Sequence, residues 1–129
     1  MGFPSDRRYT NSHEWARPDG GKVLVGITAY AQESLGDVVY VELPKVGDTV
    51  TKGQTFGVVE STKAVSELFA PVSGEVVEVN APLSDAPETV NQDPYEKGWL
   101  IKVSPSNAAE LETLFTADQY QRVVAESAH

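Results

Sequence analysis

The sequence predicts a mainly β fold, a sandwich or flattened barrel of short strands accompanied by a few short helices. Segments rich in Val, Ile, Leu and aromatic residues alternate with clusters of turn-forming residues along most of the chain, which is the pattern of many short strands. Gly and Pro separate these segments at close intervals. With 129 residues and no low-complexity stretch or obvious linker, the chain is expected to form one domain over residues 1–129.

Each predicted strand is a short apolar or alternating run that ends at a turn signal. Between the first two runs, Pro18-Asp19-Gly20-Gly21 combines the fixed φ of proline with the permissive φ of glycine and predicts a tight turn. The predicted strands cover residues 13–17, 22–27, 38–43, 55–61, 65–69, 75–80 and 99–103.

Helices are predicted in two places. Thr28 is suited to cap a short helix over 29–35, and Gly36 follows as a stop signal. In the tail, Thr116 and Gln119 fit a capping box, so two short helices are predicted with a break near Thr116. Both tail helices have an apolar stripe that is expected to pack against the sheet. The stripes consist of Leu111, Leu114 and Phe115, and of Tyr120, Val123 and Val124.

The composition restricts the function classes. Ten Lys and Arg against nineteen Asp and Glu give a net charge of −9, which disfavours nucleic acid and anionic membranes as partners and favours a monomer. No apolar run is long enough to span a membrane, and no signal or transit peptide is recognisable at the start. These features predict a bacterial cytoplasmic protein, or a mitochondrial matrix protein if the chain is a processed eukaryotic form. The absence of Cys excludes disulfides and protein-based dithiol chemistry.

Lys63 is the candidate for chemistry. Two strand-like runs flank the polar tetrapeptide Ser61-Thr62-Lys63-Ala64, so a hairpin would place Lys63 at or beside its exposed tip. A protonated lysine is a poor nucleophile at neutral pH, which makes a catalytic role weak. Two interpretations remain open from spacing alone: an acceptor for a covalent cofactor, or an ordinary solvated lysine.

The hairpin segment GQTFGVVESTKAVSELFAPVSGEVVEVN is one of four sequence blocks that resemble the same protein family. YTNSHEWAR and VGITAYAQESLGDVVYVELPKVGD precede it, and VNQDPYEKGWLIKVSPSN follows it. In this order the blocks resemble glycine cleavage system H-proteins over nearly the whole chain, from about Tyr9 onward. The resemblance implies a hybrid barrel-sandwich of the lipoyl/biotinyl type with short helices, including a C-terminal helical segment. Residues 1–8 lie outside it and are expected to form a loose N-terminal extension.

Related carrier families fit less well. Biotinyl domains have Met on both sides of the acceptor lysine, whereas this sequence has Thr62 and Ala64 there, and its only Met is Met1. Lipoyl domains of acyltransferases usually have Asp-Lys-Ala at the turn and lack the HEW and DPYEKGWL blocks. Thr62 stands where H-proteins often have Val, and both are β-branched, so the turn is expected to tolerate it.

The resemblance implies a carrier that is not an enzyme, with lipoate joined by an amide to Lys63. The implied partners are a glycine decarboxylase, an aminomethyltransferase, a dihydrolipoyl dehydrogenase, and a lipoate ligase or a lipoyl or octanoyl transferase. In this scheme the carrier receives an aminomethyl group, derived from glycine, at the decarboxylase and delivers it to the aminomethyltransferase. It then carries the reducing equivalents to the dihydrolipoyl dehydrogenase. Two alternatives remain: a lipoyl relay that donates lipoate to other enzymes, and an interaction module in which Lys63 is never modified.

The resemblance also implies that the loaded arm folds back onto the protein surface, so further residues are expected to receive its aminomethyl end. A methylamine is cationic at neutral pH, so a carboxylate and a hydroxyl would hold it by charge-assisted hydrogen bonds. The candidates are Ser12, Glu14 and Glu67, although both glutamates have the alternative of being solvated strand residues. Neither a catalytic triad nor metal-ligand spacing is present. The residues expected to be recognised around the attachment turn are Glu60, Ser61, Thr62 and Ala64.

Overall fold

The computed structural model describes residues 3–127 and contains two antiparallel β-sheets with short helices around them. The strands are β1 (Arg8–Tyr9), β2 (Glu14–Asp19), β3 (Lys22–Ile27), β4 (Val38–Glu42), β5 (Thr49–Val50), β6 (Thr55–Ser61), β7 (Val65–Phe69), β8 (Gly74–Val79) and β9 (Ile101–Pro105). The helices are α1 (Ala29–Leu35), α2 (Thr89–Gln92) and α3 (Ala117–Ser127), with 3-10 helices at Ala81–Ser84 and Ala108–Thr113.

The strand order places the two segments of interest on different sheets. The larger sheet has the order β1-β2-β3-β9-β8-β5, and the smaller sheet has the order β4-β6-β7. Strand β6 is therefore central in the smaller sheet, and β7 is one of its edges. The hairpin that contains Lys63 is formed by β6 and β7, while Glu14 is the first residue of β2 in the larger sheet and Ser12 lies in the turn two residues before it.

The main core is formed by apolar side chains from both sheets. Alternate residues of the strands point inward, as the period of a half-buried strand requires, and each fully buried Val or Ile contributes roughly 1.5–3 kcal/mol relative to an exposed one. Representative members with at most 2% exposure are Val25, Ile27, Val59, Leu68, Val76 and Ile101.

A second cluster attaches α3 to the larger sheet. Tyr9, Trp15, Leu24 and Tyr120 are its buried members. The rings of Tyr9 and Tyr120 are stacked with centroids 4.8 Å apart. The predicted apolar stripe of the last helix is thus a packing face, and Val123 and Val124 pack on the same cluster.

Most of the predicted elements are confirmed, with shifts at their ends. The strands at Lys22–Ile27, Thr55–Ser61 and Val65–Phe69 and the helix at Ala29–Leu35 have the expected bounds. The first predicted strand begins one residue later because His13 has a φ of 75° and is not extended. The last one begins at Ile101 and continues to Pro105. Strands β1 and β5 were not predicted, since two residues are too few to show an alternating pattern.

The two ends of the chain need corrections. The expected loose extension over residues 1–8 is wrong for Arg7, which is 5% exposed, and for Arg8, which belongs to β1. The predicted break near Thr116 is confirmed, but the element before it is a 3-10 helix. The capping box forms, since Gln119 N–H donates to Thr116 Oγ1 over 3.3 Å and Thr116 N–H donates to Gln119 Oε1 over 2.9 Å. No helix within residues 3–127 has the length and apolar character that a membrane crossing requires.

Candidate functional site

The hairpin tip is shaped by the side chain of Ser61. The backbone N–H of Ser61 donates to the carbonyl of Ala64 over 2.8 Å and closes the turn. Its hydroxyl oxygen accepts from the N–H groups of Lys63 (3.3 Å) and Ala64 (3.1 Å). Serine is favoured at such positions because its short side chain satisfies backbone donors that a tight turn leaves open. Lys63 lies in this turn with an exposed side chain, as the sequence predicted.

The segment that follows α1 supports the turn from one side. Thr62 N–H donates to the carbonyl of Asp37 over 3.1 Å. The aliphatic part of Lys63 lies over Gly36, where an added Cβ would be 3.4 Å from Cε of Lys63. Gly36 has φ 81° and ψ −157°, a backbone region that is essentially restricted to glycine. The sequence identified Gly36 only as a helix stop, and nothing local indicated its contact with Lys63.

Glu14 is the centre of a buried polar cluster at the base of the hairpin. Its side chain is only 1% exposed. The hydroxyls of Thr10 and Ser12 each donate to Oε1 over 2.6 Å, and Phe69 N–H on β7 donates to Oε2 over 3.2 Å. Burial raises the pKa of the Glu14 carboxyl, and these three donors partly oppose the shift. Thr10 was missed in the sequence, since a lone Thr before a strand carries no signal.

The three residues expected to hold a methylamine are only partly brought together. Ser12 and Glu14 are in direct contact. Glu67 is exposed and lies on β7 two residues before Phe69, on the side toward Lys63. Among residues 3–127, no hydrogen bond joins Glu67 to Ser12 or Glu14. Glu14 differs from the expectation of an open cleft carboxylate because its oxygens face the protein interior.

A cavity of about 230 Å³ lies beside this cluster. Its polar lining residues include Thr10, Ser12 and Lys52. Residues from the end of the hairpin and from the segment before α3 form its apolar walls, namely Ala70, Pro71, Leu114 and Phe115.

The outer face of the smaller sheet is both apolar and acidic. Tyr40, Glu60 and Val65 form one row across its three strands. Glu42, Val58 and Glu67 form the next row. Tyr40 and Val65 are 51% and 68% exposed. This surface adjoins the turn that carries Lys63, so a protein that contacts Lys63 meets it.

His13 has a structural role. Its Nδ1 is 2.7 Å from the hydroxyl of Tyr120 on α3, and its ring packs against Tyr30 with centroids 4.8 Å apart. Burial lowers the pKa of the His13 imidazole. Within the described part of the chain, no group of three or more His, Cys, Asp or Glu side chains could hold a metal ion.

Comparisons with known proteins agree on one family. A family model described as Glycine cleavage H-protein matches residues 7–127. A glycine cleavage system H protein of Anaeromyxobacter sp. (strain K) is 64% identical over 126 residues, which cover 98% of each chain. One of Myxococcus xanthus (strain DK1622) is 57% identical over 125 residues, or 97% of each chain.

A solved structure gives the same result for the fold. The crystal structure of a glycine cleavage system H protein from Mycobacterium marinum superposes with a TM-score of 0.85 at 45% sequence identity. The match covers 98% of this chain and 100% of the other. The expected hybrid barrel-sandwich with short helices is therefore confirmed.

Proposed function

The chain belongs to the glycine cleavage H-protein family, and from this premise we propose that it is the lipoyl carrier of the glycine cleavage system, with lipoate joined to Nζ of Lys63. The observation that carries the assignment is the exposed lysine in a hydrogen-bonded turn between β6 and β7. No other lysine lies within the block that resembles the family's attachment hairpin.

The surroundings of Lys63 suit a covalent lipoyl group. No hydrogen bond or ion pair of Nζ occurs among residues 3–127, so the amine is open to an attaching enzyme. Once bound, lipoate would supply a dithiolane that can accept an aminomethyl group and an electron pair, chemistry for which a cysteine-free chain has no group of its own. The chain itself would present the amine and keep the arm at a high effective concentration near each partner's site.

We propose Ser12, Glu14 and Glu67 as the groups that receive the cationic end of the arm between enzymes. A hydroxyl and carboxylates bind a methylammonium through charge-assisted hydrogen bonds. Ser12 and Glu67 are exposed, so the cationic end of the arm can contact them directly. It can contact Glu14 only if the Ser12 side chain moves away from Oε1 of Glu14. Ser12 also lines the cavity of about 230 Å³. This cavity supports the proposal that the arm rests on this part of the surface.

Recognition of the turn is assigned to Glu60, Ser61, Thr62 and Ala64. Ser61 and Ala64 define its backbone geometry, and Glu60 carries negative charge on the adjoining outer face. The proposed partners are the glycine decarboxylase, the aminomethyltransferase, the dihydrolipoyl dehydrogenase, and a lipoate ligase or lipoyl or octanoyl transferase. We propose that the carrier is monomeric and acts in a bacterial cytoplasm; the location is supported by the bacterial origin of the relatives described above.

Intact-mass measurement with peptide mapping tests the attachment site. The chain is incubated with lipoate, ATP and a lipoate ligase, and Lys63→Arg is compared with Lys97→Arg, a change at another exposed lysine. We expect one lipoyl-sized increment on the Lys63 peptide of the parent and of Lys97→Arg, and none in Lys63→Arg. An unmodified parent, with the ligase active on a control domain, would contradict the proposal.

Glycine-dependent loading separates the carrier from a relay. The lipoylated protein is mixed with glycine and a glycine decarboxylase, and exchange of labelled bicarbonate into the glycine carboxyl group is followed. We expect exchange that requires Lys63. Efficient transfer of lipoate to other enzymes without such exchange would favour the relay.

Ammonia release tests the receiving groups. Ser12→Ala and Glu67→Gln are each expected to speed the release of ammonia from the carrier, after loading by glycine decarboxylase, by about tenfold. Ser12→Ala removes a hydroxyl acceptor, and Glu67→Gln replaces a charge-assisted hydrogen bond by a weaker neutral one. Glu75→Gln, an exposed change on β8, serves as the control. Release at the parental rate in both variants and in Glu14→Ala would show that these residues do not hold the arm.

A further inference from the structure

Three consecutive residues after α1 form a support for the attachment turn. We define the support strip as Gly36, Asp37 and Val38. Gly36 lies under the aliphatic part of Lys63, and the carbonyl of Asp37 accepts from Thr62 N–H. Val38 pairs with Ser61 at the start of β4. Each residue of the strip thus contacts one residue of the turn. The position of the strip therefore sets the position of the turn.

Asn91 on α2 fixes the support strip at two of its three residues. Its Oδ1 accepts from Val38 N–H over 2.8 Å. Its Nδ2 donates to the carbonyl of Gly36 over 2.8 Å and to Oε1 of Gln32 on α1 over 3.1 Å. One amide side chain therefore bonds to the last turn of α1 and to both ends of the strip. These contacts join residues more than fifty positions apart in the sequence.

The loop after α2 holds Asn91 in place. Gly98 N–H donates to the carbonyl of Asp93 over 2.8 Å, and a Cβ at Gly98 would lie 2.6 Å from that oxygen. The hydroxyl of Tyr95 accepts from Ala29 N–H at the start of α1. Residues 91–98 thus contact α1 at its beginning and at its end, which leaves the strip little freedom to shift.

We propose that Asn91 is a positioning residue for lipoate attachment: without touching Lys63, it fixes the support strip and so determines where Nζ is presented to the attaching enzyme. This inference rests on the proposed function and adds a residue to it. Neither the spacing of Asn91 in the sequence nor its place in the family resemblance indicated such a role.

The geometry gives the inference a kinetic signature. Replacing Asn91 leaves the identity of the turn residues and of the acidic outer face unchanged, so we expect the affinity for the attaching enzyme to be largely preserved. Displacement of a reacting atom by about 1 Å can lower a rate by about a hundredfold. A positioning defect therefore lowers kcat and leaves KM for the carrier nearly unchanged. Partial unfolding would instead dilute the competent carrier and raise the apparent KM with kcat unchanged.

The test measures lipoate attachment by intact mass as a function of carrier concentration. Asn91→Ala removes all three hydrogen bonds. Gly36→Ala keeps Asn91 but perturbs the strip directly, because alanine does not favour the backbone angles of Gly36. This second variant still tests the importance of the strip if Asn91→Ala does not fold. Glu110→Ala is the matched control, because Glu110 holds Ser73 N–H and Oγ across two segments at the far end of the hairpin from Lys63. Circular dichroism establishes the folded fraction of each variant.

We expect kcat to fall by about tenfold or more in Asn91→Ala and Gly36→Ala, with KM within twofold, and both constants to be parental in Glu110→Ala. Parental kcat in the folded Asn91→Ala variant would overturn the inference, and so would an equal loss in Glu110→Ala. If Asn91→Ala does not fold, parental kcat in Gly36→Ala overturns it. A parent that is not lipoylated at all would instead refute the proposed function.

Discussion

At the scale of single residues, Glu14 shows what a buried position does to a carboxyl group. It lies at the start of a strand, where an acidic side chain is ordinarily solvated, yet it is 1% exposed and has three donors on its two oxygens. Burial disfavours the charged form and raises its pKa above the usual range. The donors reduce this penalty, which explains how a carboxyl group is tolerated between the two sheets.

The raised pKa of Glu14 predicts a pH dependence of stability. Between the unfolded pKa, about 4.3, and the higher folded pKa, the folded state keeps a proton that the unfolded state has released. The free energy of unfolding therefore falls as pH rises through this window. We compare the free energies of unfolding of the parent and of Glu14→Gln. The parent's value minus the variant's value is expected to decrease as pH rises through that window and then to become constant.

Urea unfolding at a series of pH values measures this difference. Using the difference cancels the titration of other groups, including His13, whose pKa shifts in the opposite direction. Glu75→Gln, at an exposed position, should show no such trend. A parental advantage that grows with pH would contradict the prediction.

At the scale of elements, α3 and α1 are joined through one hydroxyl group. The hydroxyl of Tyr120 is 2.8 Å from Thr28 Oγ1, the N-cap of α1, and 2.7 Å from Nδ1 of His13. The carbonyl of His13 in turn accepts from Thr28 N–H. Since α1 ends at the support strip, the last helix is connected through α1 to the residues that contact the turn carrying Lys63.

The change Tyr120→Phe tests this connection. The ring still stacks on Tyr9, but the buried Thr28 hydroxyl and the half-buried His13 imidazole each lose a partner. We therefore expect the free energy of unfolding to fall by about 1–2 kcal/mol. Urea unfolding measures it. Tyr40→Phe, at a half-exposed ring, should change it by less than about 0.5 kcal/mol. Equal effects of the two changes would argue against the connection.

At the scale of the whole molecule, the net charge of −9 is combined with an apolar surface beside Lys63. Negative charge over the surface accelerates encounters with basic partners in a manner that salt suppresses. The outer face of the smaller sheet places Glu42, Glu60 and Glu67 around Tyr40 and Val65. The position of these carboxylates, as well as their number, is therefore expected to matter.

Two triple variants of equal net charge separate these effects. Glu42→Lys, Glu60→Lys and Glu67→Lys together should lower kcat/KM for lipoate attachment by about tenfold at low salt, with a smaller loss at high salt, because screening weakens long-range attraction. The control combines Glu75→Lys, Glu88→Lys and Glu126→Lys at other exposed sites. If both triples lose activity equally, net charge alone is responsible.

The features that the sequence determined by itself depend on residues close together in the chain. The Ser61–Ala64 turn and the α1 helix with its Thr28 cap and Gly36 stop form from neighbouring residues, and both were predicted with their bounds. The same holds for the capping box of α3. Local steric preferences and side chain to backbone hydrogen bonds are sufficient for these structures.

The tertiary structure alone decided which of these pieces meet. The burial of Glu14 requires Phe69 from the other sheet, and the contact of Asn91 with Gly36 requires α2 to pack against α1. Strands β1 and β5 exist only because longer strands lie beside them. Such contacts depend on how the two sheets pack against each other to bury a common core. The separation of two residues in the sequence does not indicate how far apart they lie in that packed structure.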